Sequence, residues 1–121
     1  MVTIDDVRAI ATGLPRSYEA FIQGRVKFKV GRIVYIAFSR DESLMGFAFP
    51  KEEREALVQT YPEKFMLPKG GDLRYQWVVA RLNALDEQEL QEFVLDAWRM
   101  VVPKKLASRS DAELLRDLSS P

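Results

Sequence analysis

The chain is expected to fold as an α+β domain, an antiparallel sheet of four or five strands with N-terminal and C-terminal helices packed on one face. Three observations carry this. Arg25 to Val30 alternate strictly, with Arg25, Lys27 and Lys29 on one side and Val26, Phe28 and Val30 on the other, the period of a half-buried strand. From Leu90 the pattern becomes Leu90, Phe93, Val94, Ala97, Trp98 and Val101, the spacing of one helical face. The apolar runs between Arg25 and Phe49 are separated by tight polar turns, which joins neighbouring strands antiparallel and leaves one sheet face partly wet.

Taken in order, Thr3 and Asp6 form a capping pair ahead of the stripe Ile4, Val7, Ile10, Ala11 and Leu14. This predicts a first helix of about three turns, ending near Gly13 and Pro15. After the alternating strand, Gly31-Arg32 fits a two-residue hairpin turn with glycine where a positive φ is needed. Ile33 to Phe38 returns as a more buried strand, Arg40 to Ser43 turns, and Leu44 to Phe49 is the next strand. Pro50 suits a helix start with Glu52 and Glu53 in its first turn, and Pro62 ends that helix. Lys64 to Leu67 reads as a short extended segment and Pro68, Gly70 and Gly71 as a loop before a strand at Trp77 to Leu82. Asp86, Glu89, Leu85 and Leu90 supply a capping box and a hydrophobic staple for the long helix, which Pro103 stops. Ser110 and Glu113 open a short final helix or tail over 107–121.

Composition narrows the chemistry. With 121 residues, 47% of them hydrophobic, one domain spanning 1–121 can close a core unaided. Equal numbers of acidic and basic side chains, 18 each, argue against nucleic-acid binding through a global positive field but leave room for a local basic face. The absence of Cys and His removes disulfides, thiolate chemistry, ordinary zinc sites and imidazole catalysis. No Ser, Lys or acid sits in a recognisable activating motif, so a non-enzymatic protein without cofactor or metal is expected. The opening MVTIDDVRAIA reads neither as a signal peptide nor as a membrane span, which makes a cytoplasmic, bacterial, monomeric protein the expectation.

FKVGRIVYIAF, FAFPKEEREALV, QWVVARLNAL and the helix ending in VVPKKL, in this order, resemble the MmcQ/YjbR family of small bacterial proteins over roughly residues 3 to 106. The resemblance implies a compact frataxin-like α+β fold with helices on one side of an antiparallel sheet. It further implies a DNA-binding role of a double-wing type, with no established enzymatic activity. Two places depart from the family pattern: Ala97-Trp98, where Ser-Tyr is common, and Asp72 to Gln76, where an aromatic and glycine-rich run with a His is common.

Beside that resemblance, the residues themselves offer a candidate interface. Arg25, Lys27 and Lys29, extended across the hairpin by Arg32, set cations about 7 Å apart along one strand, a spacing that suits a phosphate backbone contacted without base specificity. The plainer reading is a solvated sheet face kept from pairing with other chains. Arg74, with Tyr75 and Trp77, would serve a single-strand platform if that face were open, although Trp77 in a strand beside a capped helix is expected in the core. Lys104 and Lys105 follow a helix C-terminus, where the dipole alone favours cations. The expected function is weak DNA-backbone contact, with a protein-interaction or small-ligand adaptor as the alternative. The acids near the first helix, Asp5, Asp6 and Glu19, are too few for a hard-cation site.

Overall fold

The computed structural model describes residues 1–119; residues 120–121, the end of the C-terminal tail read from sequence, lie outside the described residues. Helix α1 (Ile4–Ala11) precedes four meandering strands, β1 (Ser17–Ile22), β2 (Arg25–Val30), β3 (Ile33–Phe38) and β4 (Leu44–Ala48). Helix α2 (Lys51–Thr60), β5 (Phe65–Met66), β6 (Trp77–Arg81) and helices α3 (Glu87–Arg99), α4 (Lys104–Ala107) and α5 (Asp111–Ser119) follow. All pairings are antiparallel, in the order β1-β2-β3-β4-β6-β5.

The sheet therefore has six strands rather than four or five. The additional strand is β1, which pairs with β2 through a two-residue turn at Gln23-Gly24 where both residues have positive φ, 54° and 77°. That is the backbone of a type I′ hairpin, whose right-handed twist suits the flanking strands. Gly31 takes φ 60° in the following hairpin, as its turn requires. The first helix is shorter than three turns, its C-cap at Thr12.

Helix α3 forms for the reasons legible in its sequence. Asp86 accepts from the Glu89 amide at 2.8 Å while Glu89 accepts from the Asp86 amide at 3.0 Å, satisfying two donors of the first turn. Its buried face, Leu90, Val94, Leu95, Ala97 and Trp98, packs on the same side of the sheet as Val7, Ile10 and Ala11 of α1. Trp98 is fully buried and donates from Nε1 to the Pro15 carbonyl at 2.9 Å, tying α3 to the segment after α1. Arg99 donates to the carbonyls of Ala107 and Arg109 and pairs with Asp111, which ties α3 to the last two helices. Phe93 joins Phe47 and Phe65 with ring centres 5.3 Å away in each case, closing the core at the β4–β6–β5 end. No helix among the described residues is long and apolar enough to cross a membrane.

Candidate nucleic-acid interface

Because the core takes Val26, Phe28 and Val30, strand alternation leaves Arg25, Lys27 and Lys29 together on the face away from the helices, each half-buried. On β3, Ala37 stands opposite Lys27 and Val34 opposite Lys29, with Tyr35 inserted between them where the register shifts. This bulge keeps both cations on the open face while Tyr35 turns fully into the core. There its hydroxyl meets that of Ser17 on β1, and burial pushes its pKa up to about 12.

Arg25 donates from Nε to the Phe38 carbonyl at 2.8 Å, and the Lys29 ammonium lies 6.0 Å from the Tyr18 ring centre. Arg32 is exposed at the hairpin tip. Among the described residues none of these four cations pairs with a carboxylate, whereas Arg8, Lys64, Arg99 and Arg109 each do. Other cations, among them Lys51, Arg54 and Arg81, also bond carbonyls rather than carboxylates, so what distinguishes the open face is that four such cations gather on it.

Arg25, Lys27 and Arg32 border a cleft of about 990 Å³, at the upper end of the size of small-molecule sites. Its floor includes Ala37, Gly46, Trp77, Val79 and Met66, and Lys69 contributes a further cation from the loop after β5. Among the described residues Asp72 is the sole carboxylate of the lining. Trp77 is half-buried, in contact with the edge of the core, but its indole lies on the open face, across Gly46 of the neighbouring strand. It therefore sits at the edge of the core rather than in it as expected from sequence, whereas Trp98 is fully buried as expected.

The segment leading into Trp77 is held by α2. Arg54, the one buried charged side chain among the described residues, donates to the carbonyls of Leu73, Tyr75 and Trp77, and no carboxylate shares it. Gln76 accepts from the Lys51 amide at 2.8 Å, and the Lys51 ammonium donates to the Arg74 carbonyl at 2.9 Å. Arg74 lies 4.9 Å from the centre of the Tyr75 ring and donates to its hydroxyl, so it sits in the loop bordering the cleft rather than in the lining itself. Lys104 and Lys105 are exposed on α4, which packs on α3; Met100 and Val101, just before α4, line the cleft, but the two lysines are not among its lining residues.

The YjbR family model matches residues 12–100, nearly three quarters of the chain and every cation of the cleft. The chain belongs to the YjbR family. Lys104 and Lys105 fall outside the matched span. A crystal structure of Deinococcus radiodurans protein DR2400, a DUF419 domain, is similar at a TM-score of 0.74 and 25% identity, covering 100% of this chain and 91% of that one. No curated protein matches the chain. Within this YjbR-family fold, sequence reasoning missed Lys69 and Arg54. Lys69 sits in a loop with no periodicity to mark it, and Arg54 lies among the charges of a polar helix, where only tertiary structure distinguishes the buried one.

Proposed function

We propose that this YjbR-family protein binds nucleic acid, without enzymatic activity, through the open face of its sheet. The observation that carries the reading is the gathering of Arg25, Lys27, Lys29 and Arg32 around one sheet face, none of them in an ion pair among the described residues, in a chain of zero net charge. A cation held away from carboxylates is free to replace the counterions of a phosphate backbone, and releasing those counterions supplies sequence-independent affinity. The hairpin geometry adds position, since alternate residues of β2 and the tip residue Arg32 lie along one line.

The non-enzymatic part of the reading rests on composition, since the chain has no His and no Cys. The lining holds no His or Cys, and among the described residues no group of three potential ligands is placed to hold a metal ion. Arg74 contributes from the adjoining loop, and Lys104 and Lys105, exposed on α4, lie outside the cleft lining. Salt-dependent binding of DNA that is lost on charge reversal at Lys27 and Lys29 is the test.

A further inference from the structure

We infer that the cleft accepts an unpaired base, so that the preferred ligand is a single strand rather than a duplex; this rests on the nucleic-acid reading of the same face. Trp77 and Tyr75, two residues apart, both line the cleft, and Tyr75 is exposed. Trp77 is anchored at its ring and at its backbone. Its Nε1–Cε2–Cζ2 side lies over Gly46, where any Cβ would come within 2.5 Å of Nε1, and its carbonyl is held by Arg54 at 3.1 Å. An aromatic ring seated on a glycine in a cleft with cations on its border is the arrangement of a stacking platform, because every base has a π-face and every nucleotide a phosphate.

A duplex keeps its bases paired and stacked inside, out of reach of a ring on a cleft floor, while a single strand can turn one out. The same chemistry, a base joined to a phosphate, occurs in a free nucleotide. The charge favours the strand: Lys29 lies on the same face but outside the cleft lining, where it can meet only the phosphate of a neighbouring nucleotide. A nucleotide filling the cleft would leave it unused.

The experiment compares, by fluorescence anisotropy at low salt, an oligothymidylate of about 12 nucleotides, an abasic strand with the same number of phosphates, a duplex of equal length and thymidine monophosphate. The wild type is expected to bind the oligothymidylate about tenfold more tightly than the abasic strand, the effect of stacking about one base. Trp77→Leu, checked for native circular dichroism, should erase that difference. Intrinsic fluorescence gives a second readout on the unaltered protein, because Trp98 is fully buried and quenching by the oligothymidylate must come from Trp77. Equal affinity for the thymidylate and abasic strands, a difference that survives Trp77→Leu, or a monophosphate that binds as tightly as the strand would each overturn the inference and leave the backbone-binding reading standing. Failure of every strand and of the duplex to bind would overturn both.

Discussion

Trp77 and Gly46, on adjacent strands of the open face, share one space: a Cβ at Gly46 would stand 2.5 Å from the Trp77 Nε1 and 2.9 Å from two further ring atoms. Glycine inside a strand weakens it and is retained where something approaches the backbone closely. Gly46→Ala should therefore displace the indole and destabilise the fold by about 1 to 3 kcal/mol, the usual cost of overpacking. Denaturant titration gives the energy, and a shift of tryptophan emission would place the change at Trp77. An unchanged spectrum and midpoint would mean the ring yields freely.

Arg54→Met retains the stem of the side chain and removes the donors to Leu73, Tyr75 and Trp77. Hydrogen bonds from a charged group contribute more than neutral ones, so a loss of about 3 kcal/mol is expected. Hydrogen exchange should quicken in α2 and at the start of β6. A substitution that costs nothing would show that water replaces the guanidinium.

The long helix and the central hairpin were legible in the sequence because each buries a single face with the period of its own geometry. Asp86 and Glu89 announced the start of α3, and Arg25 to Val30 declared both faces of β2. Strand β1 left no such signal. As the edge strand it leaves Tyr18 44% and Phe21 72% exposed, so its sequence, SYEAFI, has no apolar alternation, and its turn uses Gln23 where Asn would be the usual cue. Trp77 was misplaced by residue type. Parity already assigned Val78 and Ala80 to the core, which puts Trp77 on the other face, but a large aromatic outweighed that clue. The unmatched state of Lys27 and Lys29 could not be read at all, since ion pairs join residues distant in sequence.

Phe93 is half-buried yet touches the rings of Phe47, Phe49 and Phe65. Phe93→Ala should cost about 3 kcal/mol, the lower end for a core phenylalanine, because part of its surface already meets water. Chemical denaturation measures it. A loss below about 1 kcal/mol would contradict the packing described for α3.

Tyr35 predicts an alkaline limit. Its pKa in the folded protein is raised from 10.0 to about 12 by burial, so the stability associated with its neutral form is complete below pH 10 and is lost as pH rises through 12. Melting temperatures of the wild type should fall across that window more steeply than those of Tyr35→Phe, which cannot ionise there. Parallel curves for the two proteins would count against the buried hydroxyl.

The central claim is that unmatched cations on the open sheet face bind a phosphate backbone, and its most direct measurement is duplex DNA affinity as a function of salt for the wild type and the Lys27→Glu, Lys29→Glu double variant. With about four phosphate contacts, log K against log salt should fall with a slope of roughly -3 to -4. The double variant, whose substitutions lie on the face away from the core, should melt normally and lose binding. A wild type that binds neither duplex nor single strand at low salt, or a charge-reversed variant that binds equally well with the same slope, would contradict the account.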